Sequence, residues 1–204
     1  MIKFQQLMFC VACASGLIFL NAKSVRADDT TQPSNFSFDA FRFTQPPPDA
    51  HRWTAELLGT ALDDVNGRHV VMGGVTGGVG YYIFDNLAIN LDVTGYGYNE
   101  GHSDGAAAGI TLGLRHQLFT LYRNRVFVDV SGGEIEASNN LPMGGTHLND
   151  TLEVGLGVAR PIAENVDLMV GVRYFHLSNA RSEGAERNPS INAVQGVVGL
   201  IWRL

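Results

Sequence analysis

The sequence predicts a small, closed, antiparallel β-barrel of eight strands that crosses a membrane. Three observations carry this reading. Eight segments alternate apolar and polar residues with period two. The face of those segments opposite the apolar one holds mid-strand charges and many glycines, which suits the crowded lumen of a small barrel. After residue 27 there is no apolar run of the ~18 residues that a spanning helix needs. A closed sheet, with every backbone group paired between strands, is the structure left for a membrane.

Residues 1–27 read as a secretory signal peptide. Lys3 gives a short positive start, an apolar stretch runs from Leu7 to Leu20, and Ser24-Val25-Arg26-Ala27 offers a cleavage site after Ala27. Cys10 and Cys13 are the chain's two cysteines, so the mature part has no disulfide to form. Lys3, Lys23 and Arg26 also fall in this segment. Of 14 basic residues, 11 then remain, all Arg, against 20 acids. A net charge of about −9 excludes nucleic acid as a partner.

Residues 28–50 are rich in Thr, Gln, Ser and Pro and contain Pro46-Pro47-Pro48, which cannot donate to a sheet ladder. They are expected to form a periplasmic leader, with Phe36, Phe38, Phe41 and Phe43 giving it some strand-like or plug character. The barrel is assigned to 51–204, with strands over 52–60, 69–83, 86–97, 107–118, 125–133, 150–160, 165–178 and 190–204. In the third segment Leu87, Ile89, Leu91 and Val93 share one face and Asn90, Asp92 and Thr94 the other. In the seventh, Leu168, Val170, Val172 and Tyr174 oppose Met169, Gly171 and Arg173. Asp92, Arg115, Asp129, Glu153 and Arg173 are the charges assigned to the lumen. The stretch Gly73–Gly80 lacks the Lys and following helix of a phosphate loop, and small lumen residues explain it.

The connections alternate in length. Asp85-Asn86, the stretch around Tyr122 to Asn124, and Glu164-Asn165 are tight turns, whereas 61–68, 98–106, 134–149 and 179–189 read as longer polar loops. Short periplasmic turns and long outer loops are typical of outer-membrane barrels. An even strand count puts both ends of the barrel in the periplasm.

One cluster does not fit a purely structural wall. His176 and Ser178 are two residues apart on a strand, so they share a face, ~6–7 Å apart along the backbone. That face continues Val172 and Tyr174, the lipid-facing side, where polar groups are costly unless paired or near headgroups. In the last segment Asn192 shares its face with Val194 and Val198, so it points outward too and can lie across the hairpin from His176. A Ser hydroxyl becomes a nucleophile when an imidazole takes its proton. The imidazole needs a third group to fix its tautomer, and the tetrahedral intermediate needs an oxyanion donor.

The string Tyr174-Phe175-His176-Leu177-Ser178-Asn179-Ala180 resembles the His-x-Ser-Asn-Ala signature of the lipid A 3-O-deacylase family, also called PagL-like or acyloxyacyl hydrolase. The sharp match covers about residues 171–204. The resemblance implies an outer-membrane barrel that removes an ester-linked acyl chain from the 3-O position of lipid A, without a cofactor or metal. It implies Ser178 as nucleophile, His176 as base and Asn188 as the oxyanion-hole asparagine, with Asn179 part of the signature. Arg181 and Arg187 flank the site and are candidates for holding lipid A phosphates. The best-known members carry a Glu where this chain has Asn192. An amide can orient an imidazole but gives no charge support, and Glu183 or Glu186 is the alternative third member. The partners expected are lipopolysaccharide and the outer membrane, with pairing into a homodimer left open. The competing function is a barrel that keeps the scaffold and binds lipopolysaccharide or an adhesive partner without turnover. A pore is disfavoured, because eight strands leave a lumen that side chains fill.

Overall fold

The computed structural model describes residues 43–44, 49–101 and 103–204; the expected signal peptide and most of the leader lie outside these. Among the described residues there are nine strands: β1 (Phe43–Thr44), β2 (Trp53–Asp64), β3 (Val70–Phe84), β4 (Leu87–Glu100), β5 (Ser103–Leu121), β6 (Asn124–Leu141), β7 (Thr146–Ala163), β8 (Val166–Ser178) and β9 (Ile191–Arg203). Strands β2 to β9 each pair antiparallel with both neighbours, and β2 pairs with β9, so the sheet closes into an eight-stranded barrel. Among the described residues no helix is long and apolar enough to cross a membrane.

Closure fixes a stagger. Following straight-across partners from Ser178 through Asp150, Glu134, Ile110, Val93, Gly77, Leu57 and Leu200 returns to β8 at Leu168, ten residues away. A stagger of this kind goes with strands tilted to the barrel axis. The short β1 adds along the end of β5, pairing Phe43 with Leu121 and Thr44 with Thr120, beyond His116 where β4 begins to pair.

The two faces divide as the alternation requires. In β4, Ile89, Leu91 and Val93 are exposed on the outside, whereas Asn90, Asp92 and Thr94 are buried inside. Apolar side chains on the outer wall of a closed sheet, with charges inside it, invert the soluble arrangement and match a membrane barrel. Glu56, Arg115, Asp129, Arg173 and Glu153 form one network in the lumen. Arg115 Nη1 donates to Glu56 Oε2 at 2.7 Å and its other nitrogen lies 3.6 Å from Asp129 Oδ2. Arg173 donates to Asp129 Oδ2 at 2.8 Å and Glu153 Oε2 at 2.9 Å. Buried charges need such partners. Gly155 makes room for them, because a Cβ there would collide with the Arg173 side chain and with Asp129.

Asp49, just before the barrel, is tied to the barrel mouth at the end where β2 begins and β9 ends. Asp49 is buried and accepts from Arg125 Nη1 at 3.1 Å, and Arg125 also bonds Asp167. The half of the lumen far from the termini, the distal half, is instead apolar. Leu62, Val70, Met72, Tyr96, Ile135, Phe175, Leu177 and Ile191 fill it. Charges occupy the middle of the lumen, and an apolar layer fills its distal end.

The expected long loops 61–68, 98–106 and 134–149 are corrected as well. The strands run on through much of them, and the distal connections shrink to 65–69, 101–102 and 142–145. The polar residues that suggested loops are only one face of a continuing strand. Glu134 and Glu136 point out, while Ile135 and Ala137 point in and are buried. The tight turns at 85–86, 122–123 and 164–165 are present as expected. The turn at 142–145 carries exposed Met143 at the distal tip. An epitope inserted between Met143 and Gly144 should react with antibody on intact cells. Reaction only after the outer membrane is broken would invert the orientation.

Candidate active site

The site lies at the distal end of β8 and β9, on the outer wall. Register decides its composition: His176 and Asn192 are straight-across partners, and alternation puts Ser178 on the same face. Phe175 and Leu177, between these residues, point into the apolar distal layer and are fully buried. They anchor the strand that holds His176 and Ser178 outward.

His176 uses both ring nitrogens. Nδ1 lies 2.7 Å from Asn192 Oδ1, and Nε2 lies 3.2 Å from Ser178 Oγ. An amide oxygen only accepts, so Nδ1 carries the proton and Nε2 is left as acceptor for the Ser178 hydroxyl. This is the tautomer that nucleophile activation requires. Ser178, His176 and Asn192 are half-buried, so the hydroxyl is reachable from the wall.

Two further residues complete the frame, and sequence reasoning missed both. The Tyr174 hydroxyl donates to the same Asn192 Oδ1 at 2.5 Å. Alternation with Val170 and Val172 puts Tyr174 on the outward face, which is the signal the sequence offers for it. Asp64, at the end of β2, accepts the Asn192 N–H through Oδ1 at 3.2 Å, and Oδ2 accepts from Asn66 and Arg68 N–H at 3.1 and 2.8 Å. Nothing local in the sequence relates Asp64 to a residue 128 positions later.

The connection 179–190 supplies the rest. Its turn needs left-handed backbone at Ala180 (φ 48°), Arg181 (φ 65°) and Gly184 (φ 93°). Asn179 makes this possible. It is 2% exposed, its Oδ1 accepts the Arg181 N–H at 3.0 Å, and its Nδ2 donates to Arg187 O at 2.6 Å and Thr146 Oγ1 at 3.2 Å. With its amide engaged inside the loop, Asn179 builds the turn that carries the site. Asn188 Oδ1 accepts the N–H of Asn179 at 3.0 Å. The peptide that follows Ser178 thus holds the Asn188 amide through its oxygen, with the two Nδ2 hydrogens left as donors.

Arg181 and Arg187 are exposed on this connection. Arg187 pairs with Glu183 at 2.5 Å and donates to Gly145 O at 3.3 Å. Glu183 is thereby held by Arg187 on the loop, while Asn192 occupies Nδ1 of His176. Asp150 lies straight across from Ser178 on β7, so the wall beside the hydroxyl carries an acid. Among the described residues no group of His, Cys, Asp and Glu is gathered in a way that could hold a metal ion.

The family model described as "Lipid A 3-O-deacylase (PagL)" matches residues 75–200. Among solved structures, the chain is similar to Neisserial surface protein A (NspA), with 20% identity and a TM-score of 0.54, over 75% of this chain and 95% of that one. It is also similar to the outer membrane protein OprG from Pseudomonas aeruginosa, with 12% identity and a TM-score of 0.48, over 78% of this chain and 99% of that one. No curated protein matches the chain in sequence.

Proposed function

Because the chain belongs to the lipid A 3-O-deacylase (PagL) family, we propose that it is a serine esterase that cleaves the 3-O-linked acyl chain of lipid A. The chain is an outer-membrane β-barrel, and a site on the outer wall of such a barrel suits a lipid ester as substrate. The observation that carries the reading is the unbroken series Asn192 Oδ1, His176 and Ser178 Oγ, with contacts of 2.7 and 3.2 Å.

In this reading Ser178 Oγ attacks the ester carbonyl carbon while its proton passes to His176 Nε2. The Asn188 amide donates to the developing oxyanion. Collapse breaks the bond to the sugar oxygen, which takes the proton back from Nε2 and leaves the acyl group on Ser178. A water molecule, deprotonated by the same nitrogen, then releases the fatty acid. Asn192 holds Nδ1–H throughout, giving orientation without charge. Arg181 and Arg187 are the cations offered to the lipid A phosphates.

Asn192 also favours a second reading, a barrel that binds lipopolysaccharide with little turnover, because the imidazolium lacks a carboxylate partner. Mass spectrometry of lipid A separates the two. Cells that make the protein should contain lipid A lighter by one ester-linked acyl chain, and the purified barrel in detergent should release that fatty acid. Lipid A unchanged in both settings would overturn the esterase reading.

A further inference from the structure

The turn between β6 and β7 is held from several sides. Glu100, at the end of β4, accepts the Met143 N–H through Oε2 at 2.7 Å. Gly145 N–H donates to Pro142 O at 2.8 Å within the turn. Asn149 is 2% exposed, and its Nδ2 donates to Leu141 O at 2.9 Å and to Thr146 O at 3.0 Å, closing the turn at its base. Thr146, the first residue of β7, is buried with its side chain on the same support. Its hydroxyl donates to Leu148 O at 2.8 Å, with Asn149 Oδ1 as a further acceptor at 3.2 Å. A hydroxyl has one hydrogen, so here it is spent on β7 itself and the oxygen is left to accept. What it accepts is Asn179 Nδ2 at 3.2 Å.

Asn179 joins that support to the site. Its other hydrogen bonds stay within the 179–190 connection: Oδ1 with Arg181 N–H, Nδ2 with Arg187 O, and its backbone N–H with Asn188 Oδ1. Bonds of that kind fix the shape of the connection, but they move with it. The contacts with the β6–β7 turn are different, because they tie the connection to another strand. Thr146 Oγ1 meets Asn179, and Gly145 O accepts from Arg187 Nη2 at 3.3 Å. Gly145 also packs against Pro189, since an added Cβ would lie 3.2 Å from Pro189 Cγ. Residues 179, 187 and 189 are thus gripped, and these are the hydrogen-bond partner and the two chain neighbours of Asn188. Arg187 is exposed and shared with Glu183, so its grip is the weaker one. The Thr146 contact is buried and stands in series with the bond from Asn179 N–H to Asn188.

We propose that Thr146 is a positioning residue: acting through Asn179, it seats the Asn188 amide for the oxyanion. This role rests on the reading of Asn188 as the oxyanion donor, and the first of two measurements needs no turnover. In the 15N-labelled barrel in detergent micelles the Asn179 N–H should exchange slowly with solvent, and Asn188→Ala should remove that protection. Thr146→Val keeps the shape of the side chain and loses the acceptor. It should speed the exchange about fivefold, the effect of one neutral hydrogen bond. Thr146→Ser keeps the hydroxyl and should leave the exchange slow. In deacylation of lipid A by the purified barrel, Thr146→Val should lower kcat about fivefold and leave KM unchanged, because an oxyanion contact is made only in the transition state. Asn188→Ala should itself cost on the order of a hundredfold, and adding Thr146→Val to it should cost nothing more. Each variant should keep its heat-resistant migration on gels. Unchanged exchange in Thr146→Val, or unchanged kcat in an active barrel, would overturn the role of Thr146. So would a further fivefold loss on top of Asn188→Ala, since Thr146 would then act on something other than Asn188. Full activity in Asn188→Ala would remove the oxyanion reading and the role of Thr146 together. Faster exchange in a barrel that releases no fatty acid would support the seating of Asn188 while removing the esterase reading.

Discussion

Ser178→Ala is expected to abolish release of the 3-O-linked fatty acid, lowering turnover by roughly 10⁴-fold or more. His176→Ala should do the same. The hydroxyl is hydrogen-bonded to His176 Nε2 at 3.2 Å, so losing either partner removes the same step. Groups that act as a unit are strongly non-additive, so the double variant should be little worse than either single one. Both side chains lie on the outer wall rather than among the buried lumen residues, and the barrel should keep its heat-resistant migration on gels. Release of fatty acid from purified variants, followed by mass spectrometry, gives the measurement. Full activity in Ser178→Ala would end the serine mechanism. Loss in Ser178→Ala with activity kept in His176→Ala would leave the nucleophile and remove the base.

Arg173→Ala should bring the largest loss of stability, about 3–5 kcal/mol. Arg173 donates to Glu153 at 2.9 Å and to Asp129 at 2.8 Å inside the lumen, where all three side chains are largely shielded from water. Removing it leaves two buried carboxylates facing each other, with Arg115 at 3.6 Å from Asp129 as partial relief. Arg187→Ala is the control. Its pair with Glu183 is half-exposed on both sides, so stability should change by about 0.5 kcal/mol or less. Urea unfolding of the two variants in lipid vesicles compares them directly. Equal midpoints would mean that the lumen network adds little to the fold.

The sequence by itself determined the faces. Period-two alternation placed Ile89, Leu91 and Val93 outside, Asp92 and Arg173 inside, and His176, Ser178, Tyr174 and Asn192 on the lipid-facing wall, because side-chain direction in a strand depends only on the position along it. It determined the strand number and the tight turns, two of which Asp85-Asn86 and Asn165 mark through their backbone preferences. It misjudged the distal half of the barrel. There the outward face leaves the hydrocarbon and becomes polar, so Glu134-Ile135-Glu136-Ala137 reads as loop although its ladder continues. Only the tertiary structure decided which residues meet. Register is a property of pairs of strands, set by closing the sheet with its ten-residue stagger, and a strand alone carries no record of it. That register brought Asn192 to His176 and Asp64 to Asn192. The folded loop likewise turned Asn179 inward, where its amide holds the left-handed turn at Ala180 and Arg181. Faces are local and legible in one strand; neighbours across the sheet exist only once the barrel has closed.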